Sequence, residues 1–593
     1  MKEFVKTVCA VICGIIVVQL LGLIFFFLSL GSMALSGGSK PVLPREGVLD
    51  INMADFTLGE QSQQTSMPDI TTLVSGSMVP TLGLWDAVQA LEKAAADPSI
   101  QYVFLRPDSA AGGFASIEEF RDALVRFRQS GKAVVAYLEN PGNGSYYLAT
   151  AADKIYLSSL HGGSSQLLGV SAQLMFLKDL LDKLGVNVQL IRHGKYKSAG
   201  EMYIKNAPSA ENLEQNQVLV DGLWKAILAP MAQARGLAPE ALNALVDNLS
   251  LNFPEDFLEA GLVDELVDRE ALIGKLCTLS GVEGLDNLHL VSLSDYIAAK
   301  VTDQPEKKAQ VGILFADGSI VEGEELQDIA GDRFVREIDK IRKDASVKSV
   351  VLRVNSPGGS VLASEKIRTA LALLMQEKPV VASYGNYAAS GGYWISSGCQ
   401  KVYADATSIT GSIGVFSMIP DFGKLPGKVG VNLMYVKSNK HSDLYGMMRP
   451  LDAQELAYMQ ASVEDIYETF VNIVATARGM EPAAVDEIAQ GRVWSGVDAL
   501  GIGLVDEIGT LYDAVAYAAS LAGLVSEDDF SIAAFPKPLT VMEQLMESFG
   551  KGSKDPRILE GTPFEGIGKA IMELNDRQPS GVFAQMPYTL EIR

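Results

Sequence analysis

The sequence is poor in the side chains that most often carry nucleophilic or metal chemistry. Its 593 residues include only four histidines and four cysteines. Cys9 and Cys13 lie in one apolar run, while Cys277 and Cys399 are far apart, so the cysteines form no disulfide framework. The four histidines are His161, His193, His289 and His441.

Positive charge is also scarce. The chain has 49 lysines and arginines against 72 aspartates and glutamates, a net charge of −23 at pH 7, and no local basic cluster offsets it. Proteins that bind nucleic acid depend on such clusters, so we expect no nucleic acid partner. Hydrophobic residues make up 48% of the chain, which provides several globular cores and an apolar segment besides.

The apolar segment runs from Val8 to Leu30 and is long enough to cross a bilayer as a helix. Lys2 and Lys6 precede it and favour a cytosolic N-terminus. Ser32-Met33-Ala34 resembles a cleavage site, so a cleaved signal peptide is the alternative. Because the run is longer than a typical signal-peptide apolar region, we expect residues 1–35 to form an uncleaved, single-pass anchor in the cytoplasmic membrane. The bulk of the chain would then lie on the outer, periplasmic side.

Beyond a linker with glycine and proline, the chain repeats itself. Asp97 to Arg106 matches Asp344 to Arg353, 247 positions later. Four further matches follow in the same order: Ala133–Tyr137 with Val380–Tyr384, Lys154–Tyr156 with Lys401–Tyr403, Ala234–Gly236 with Ala477–Gly479, and Gly261–Glu265 with Gly503–Glu507. Five ordered matches indicate a duplicated domain. We expect the two copies at 36–302 and 303–538, followed by a C-terminal tail at 539–593.

Each copy alternates apolar, strand-like runs with amphipathic helical ones. In the second copy the pattern predicts strands at 310–316, 347–354 and 380–383, and helices at 333–343 and 360–375. Such alternation is typical of a largely parallel sheet covered by helices. The predicted fold class is therefore α/β.

The most informative stretch is Val380 to Val415. Small residues follow its opening apolar run, and Ser390 is succeeded by Gly391 and Gly392. A serine at a tight strand-to-helix turn presents its hydroxyl clear of the backbone, and the next N–H group points where an oxyanion would form. The alternative is that Ser390 only caps the following helix.

A serine nucleophile needs a general base, and none of the histidines lies between Ser390 and Val415. A lysine made neutral by burial is the known alternative. The repeat points to Lys197: Ser390 aligns with Asn143, so the first copy lacks the serine, while Lys197 aligns with Ser442 of the second copy. The competing interpretation of Lys197 is a solvated surface side chain.

Two further motifs could complete such a site. Asn355 to Ser360 follows a predicted strand, and its glycine pair allows close backbone approach to an anion; a plain tight turn is the alternative. Together with the Gly391 N–H group it could form an oxyanion hole. Thr410 to Gly414 contains Ser412, whose hydroxyl could orient a neutral lysine.

These motifs together resemble a known family. NSPGGS, AASGGYW, TGSIGV and the upstream GKYKSA, with an N-terminal anchor, are similar to bacterial signal peptide peptidase A (protease IV) in its long, duplicated form. The resemblance extends from about residue 40 to about residue 535 and implies tandem domains of the caseinolytic-protease/crotonase type. It also implies a homotetramer.

Residue by residue, the resemblance implies a Ser–Lys dyad with Ser390 as nucleophile and Lys197 as base. It assigns the orientation of the lysine to Ser412 and the oxyanion hole to Gly391 and Gly359. We expect no metal and no cofactor. The implied activity is that of a membrane-anchored serine endopeptidase that degrades cleaved signal peptides and similar apolar peptides. A crotonase-like enzyme acting on acyl thioesters and a non-catalytic membrane scaffold are the alternatives.

Overall fold

The computed structural model of the chain describes residues 41–62, 79–302, 306–326, 328–428, 430–526, 529–537 and 583–586. The predicted membrane anchor at 1–35 and most of the predicted tail at 539–593 lie outside them. Among the helices described, none is long and apolar enough to cross a membrane.

Strands and helices alternate along the described chain, as predicted. The strands are β1 Gly47–Asn52, β2 Thr57–Gly59, β3 Thr81–Gly83, β4 Ile100–Arg106, β5 Val134–Leu138, β6 Lys154–Ser158, β7 Asn187–His193, β8 Glu265–Val267, β9 Leu290–Ser292, β10 Gln310–Asp317, β11 Ile320–Val321, β12 Ile329–Ala330, β13 Val347–Ser356, β14 Gly358–Ser360, β15 Val380–Ala389, β16 Val402–Ala404, β17 Ile409–Gly411, β18 Val415–Asp421, β19 Val493–Ser495, β20 Glu507–Ile508, β21 Ser531–Phe535 and β22 Phe583–Gln585. The helices are α1 Leu84–Ala96, α2 Phe114–Gln129, α3 Asn143–Ala149, α4 Lys178–Leu184, α5 Glu201–Ile204, α6 Ala210–Ala234, α7 Pro239–Asp247, α8 Pro254–Glu259, α9 Arg269–Ser280, α10 Leu293–Lys300, α11 Gly331–Lys343, α12 Val361–Met375, α13 Gly391–Ser396, α14 Lys424–Lys428, α15 Ala453–Arg478, α16 Pro482–Ile488, α17 Gly496–Gly501 and α18 Leu511–Leu521.

Two parallel sheets form the centres of the two copies. The first has six strands in the order β8-β6-β5-β4-β1-β9, all parallel. The second follows the path β19-β17-β15-β13-β10-β21, and β16 pairs with β15 and β20 beside it. Only β17 and β19 run antiparallel there among the strands described. Successive residues of β4 enter different apolar clusters, so helices bury both faces of the sheet and the strand is apolar throughout.

The duplication extends to tertiary contacts. The hydroxyl of Tyr146 donates to the carbonyl of Leu262 at 2.7 Å, and that of Tyr393, 247 positions later, donates to the carbonyl of Leu504 at 2.8 Å. Because Tyr146 lies three residues after Asn143 and Tyr393 lies three residues after Ser390, this pair supports the alignment of Asn143 with Ser390. The predicted duplicated α/β fold is confirmed.

A third, mixed sheet joins the two copies. Its order is β12-β11-β14-β22-β18-β7. Strand β7 of the first copy runs antiparallel to β18 of the second, with His193 opposite Val415. The chain that follows β7 therefore lies close to the start of β18 in the second copy.

One of the predicted boundaries in the second copy differs from the structure by more than two residues. The strand predicted at 380–383 continues as β15 to Ala389. Residues 382–384 pair with β16 and residues 387–389 pair with β17, so each half of the strand has a neighbour on this side. Glycine and alanine carry little strand propensity, and it is this buried pairing that keeps the segment extended as far as Ser390.

A buried arginine also links the copies. Arg353 of β13 is fully buried, and its guanidinium contacts carboxylates of Glu60 at 2.7 Å and Glu119 at 2.6 Å. Both carboxylates belong to the first copy. The strand that leads to the Asn355–Ser360 motif is thus held against the first copy by paired, buried charges.

Candidate active site

Ser390 lies at the junction between β15 and α13. Its backbone has φ 56° and ψ −112°, a strained conformation for a residue with a side chain. Its N–H group donates to the Gly411 carbonyl at 2.8 Å, and its carbonyl accepts from Trp394 N at 2.8 Å. Although Ser390 holds the N-cap position of α13, its side chain makes no capping hydrogen bond to the described helix. The strained turn directs the hydroxyl away from the helix.

The partner of that hydroxyl is Lys197. Lys197 Nζ lies 2.9 Å from Ser390 Oγ, and it donates to the carbonyl and contacts the hydroxyl of Ser412, each at 3.0 Å. All three side chains are fully buried. The structure therefore brings together within one chain the serine, lysine and second serine that the sequence singled out, and Lys197 is no surface lysine.

Hydrogen bonds from side chains of the first copy hold the loop that carries Lys197. Arg192 Nη1 donates to the Lys197 carbonyl at 2.7 Å, and Gln215 Nε2 donates to the Tyr196 carbonyl at 3.0 Å and to Ser198 Oγ at 2.9 Å. These bonds fix the backbone on both sides of the lysine. A side chain with four rotatable bonds can then reach Ser390 in one defined position.

On the second copy the same loop packs against Gly491, a residue outside the motifs predicted for the site. Gly491 has φ 83°, and a Cβ built on it would lie 2.5 Å from Lys197 Cβ. Its N–H group donates to the Ile413 carbonyl at 2.8 Å, next to Ser412. Only glycine fits this position. The dipeptide Gln490-Gly491 between α16 and β19 was the available signal.

Burial determines the electrostatics of Lys197. The pKa of its ammonium group is held well below its ordinary value because burial disfavours the charged form. No carboxylate within the described residues forms an ion pair with it. The contacts of Nζ are uncharged oxygens, which suit a neutral amine that accepts a proton.

The glycine pair of the Asn355–Ser360 motif lies beside this group. Gly358 and Gly359 have φ 98° and 156°, and they form the short strand β14 and not a plain turn. A methyl group built on Gly391 would lie 3.1 Å from the Gly359 amide nitrogen. The backbone amides of Gly359 and Gly391 thus border one small space next to Ser390.

The equivalent place in the first copy lacks these features. Asn143 uses its side-chain amide to bind the backbone of Leu168 and Gly169. Asp108, the counterpart of Asn355, accepts a hydrogen bond from Glu139 N at 2.6 Å, and Ala111 stands where the second copy has Gly358. Ser442, the counterpart expected for Lys197, is exposed on the surface. One composite site therefore takes its serine from one copy and its lysine from the other.

Histidine is not part of this arrangement. No histidine hydrogen-bonds to Ser390 in the part of the chain that the structure describes. His193, at the end of β7, stacks on the Tyr467 ring with centroids 3.9 Å apart. His161 pairs with Glu255, and His441 with Glu455.

Comparison with known proteins identifies a family for most of the chain. Residues 126–283 and 372–525 match the profile of Peptidase family S49. Protease 4 of Haemophilus influenzae is 33% identical over 93% of this chain and 92% of its own length. Protease 4 of Salmonella typhi is 34% identical over 89% of this chain and 87% of its own length. A putative signal peptide peptidase SppA of Enterococcus faecium is 38% identical over 31% of this chain and 53% of its own length.

One profile match falls in each of the two copies, and the alignments with the two Protease 4 relatives cover both copies. The two alternatives, a crotonase-like enzyme acting on acyl thioesters and a non-catalytic membrane scaffold, are therefore set aside in favour of a peptidase. The chain belongs to peptidase family S49 and is a serine peptidase.

Proposed function

We propose that Ser390 and Lys197 are the catalytic dyad of this peptidase. The observation that carries the proposal is the 2.9 Å contact between Lys197 Nζ and Ser390 Oγ, with both side chains fully buried. A buried amine with a lowered pKa can take the hydroxyl proton, which an ordinary ammonium group cannot.

In the proposed reaction, Ser390 Oγ attacks the scissile carbonyl while Lys197 accepts its proton. The backbone N–H groups of Gly391 and Gly359 bind the oxyanion that develops. Lys197 then donates the proton to the leaving amine, and water hydrolyses the acyl-enzyme with Lys197 again as base. Ser412 keeps the amine directed at Ser390 through its contact with Nζ.

We infer that the substrates are cleaved signal peptides and similar apolar peptides. Ala388, Ala389, Val415 and Phe416 beside Ser390 are buried and small or apolar, and such walls favour uncharged side chains next to the scissile bond. The name of the Enterococcus relative agrees with this substrate class. The apolar run at 8–30 supports a place at the outer face of the cytoplasmic membrane, where such peptides remain after processing. The proposed assembly is the homotetramer that the family resemblance implies.

Active-site labelling tests the dyad directly. A fluorophosphonate probe should label the native protein and the Ser397→Ala variant, and it should not label Ser390→Ala. Ser397 is a matched control because it is buried near the same helix and its hydroxyl has no hydrogen-bond partner within the described part of the chain. Trypsin resistance of all three proteins shows that the fold is intact. Labelling of Ser390→Ala at another serine would overturn the assignment.

A further inference from the structure

A short strand from the C-terminal end of the chain lies beside Ser390. Strand β22 pairs antiparallel with β14 on one side and with β18 on the other. Strand β14 carries Gly359, and β18 begins three residues after Ser412. The segment thus fills the groove between the two strands that border the candidate site.

The pairing holds the segment in one register. Gly359 lies opposite Ala584, and Met586 N donates to the Pro357 carbonyl at 2.6 Å. A methyl group built on Gly391 would lie 3.0 Å from the Ala584 carbonyl oxygen. This is the space that the Gly359 amide also borders. The Ala584 carbonyl oxygen therefore lies next to the backbone amides of Gly359 and Gly391, to which the proposed mechanism assigns the oxyanion.

Alternate side chains of the segment enter pockets. Ala584 is 0% exposed and Met586 is 3% exposed, while Gln585 between them is half-buried. Met586 packs in a cluster built by both copies, whose other buried members are Leu219, Leu223, Ala389, Ile409 and Val493. An extended peptide with every second side chain buried is the arrangement by which peptides add to a sheet as an extra strand.

We propose that the segment Phe583–Met586 is a built-in competitor of the peptide substrate, bound as a substrate is bound, with the Ala584–Gln585 bond facing Ser390. This inference rests on the proposed role of Ser390. It assigns the substrate residue before the scissile bond to the place of Ala584, which admits a small side chain. The second residue after that bond falls in the apolar pocket of Met586.

Tethering makes the competitor effective. A segment joined covalently to its own site is present at an effective concentration on the order of millimolar, even if its intrinsic affinity is weak. An external peptide must displace it before it can bind. The segment should therefore raise KM for external peptides and leave kcat unchanged.

The first test compares full-length variants on an apolar fluorogenic peptide. Ala584→Asp brings a charge into a fully buried position and should expel the segment. Its KM should fall at least about fivefold at unchanged kcat. Ala461→Asp makes the same exchange at an exposed position of α15 and should keep the native KM. Equal KM values for the native protein and Ala584→Asp would overturn the proposal.

The second test needs no catalysis, so its failure is separate from failure of the proposed dyad. A fluorescein-labelled peptide with the sequence of residues 581–593 is titrated into the full-length Ser390→Ala, Ala584→Asp double variant. Fluorescence anisotropy should show saturable binding, and the same peptide with aspartate in place of Ala584 should bind at least about tenfold more weakly. The single Ser390→Ala variant keeps its own segment and should bind the peptide weakly. No binding by the double variant, or equal binding of both peptides, would refute the proposed register.

Discussion

Lys197 and Ser390 are 193 positions apart in sequence, yet the Lys197 amine lies 2.9 Å from the Ser390 hydroxyl. The contact exists because β7 of the first copy pairs with β18 of the second, which places the Lys197 loop against Gly491 and Ser412. Neither copy contains a complete site. In the proposed mechanism, the first copy supplies the base and the second copy supplies the hydroxyl and the amides.

Replacing Lys197 by arginine should inactivate the enzyme. Arginine keeps the charge but cannot release a proton, so it cannot act as base. We expect kcat to fall roughly 100- to 10,000-fold, as for loss of a general base, both in Lys197→Arg and in Lys197→Met. Lys195→Met, at an exposed position in the same loop, is the control and should retain activity. Substantial activity in Lys197→Arg would show that Lys197 only supplies charge.

Activity should rise with pH over the acid side of its profile. The base must be neutral, and burial lowers the pKa of Lys197 so that the neutral form appears well below the ordinary lysine value of 10.5. We expect kcat/KM to increase about tenfold per pH unit below the lowered pKa and to level off above it. Initial rates measured from mildly acidic to alkaline pH, on protein shown to stay folded, provide the test. A rate independent of pH throughout that range would contradict a lysine base.

The Lys197 amine should reduce stability at neutral pH. Its pKa is lowered on folding, so between that lowered value and 10.5 the unfolded chain binds a proton that the folded chain does not. The free energy of unfolding contributed by this group therefore rises with pH across this window. Lys197→Met should unfold at higher denaturant concentration than the native protein at pH 7, and the difference should shrink as the pH approaches 10.5. If the Met variant is less stable than the native protein at pH 7, the hydrogen bonds of the Lys197 amine stabilise the fold by more than the burial of the amine destabilises it.

Ser412→Ala should impair catalysis without impairing substrate binding. The Ser412 hydroxyl contacts Lys197 Nζ at 3.0 Å, and its removal leaves the amine less well directed at Ser390. We expect kcat to fall about 10- to 100-fold, part of the gain that a positioned base contributes, with KM nearly unchanged. Steady-state kinetics separate the two constants. A change in KM alone would place Ser412 in the substrate pocket instead.

The peptidase should cleave after small or apolar residues. The walls beside Ser390 are apolar, and Ala584 is fully buried in the groove, where an unpaired charge would be costly. In a peptide library, we expect cleavage after alanine or leucine to exceed cleavage after lysine or aspartate by at least about tenfold, since an unpaired buried charge costs more than 1.4 kcal/mol. Mass spectrometry of the products gives the residue before each cut. A preference for a charged residue there would contradict the proposed pocket.

Removal of Arg353 should destabilise the whole molecule. Arg353→Met leaves the buried carboxylates of Glu60 and Glu119 without their cation, a loss of about 3–5 kcal/mol. Arg106 is its counterpart in the first copy and pairs with Asp50, but its side chain is 37% exposed. Arg106→Met should therefore cost less than about 1 kcal/mol. Chemical denaturation gives the free energy of unfolding of both variants. Equal losses in the two variants would show that burial of the Arg353 ion pairs is not the cause of the destabilisation.

The sequence by itself determined the duplication, the α/β class and which residues are candidates for the site. Repeated motifs preserve local turns and buried strands, because glycine pairs and apolar runs dictate backbone conformation within a few residues. The difference between the two copies, Ser390 in the second and Asn143 in the first, is likewise visible when their sequences are aligned. Each of these features can be recognised from short segments of the sequence, even where two such segments are compared.

Only the tertiary structure decided how Lys197 meets Ser390, that Gly491 makes room for it, and that Ala584 and Met586 occupy the groove. These contacts join segments that are far apart in sequence, and they follow from the pairing of β7 with β18 and of β22 with β14. Such pairings depend on burial and backbone hydrogen bonds summed over the whole fold, which leave no mark in the local sequence of β22. The lowered pKa of Lys197 has the same origin, because burial is a property of the packed molecule and not of the residues next to Lys197 in sequence.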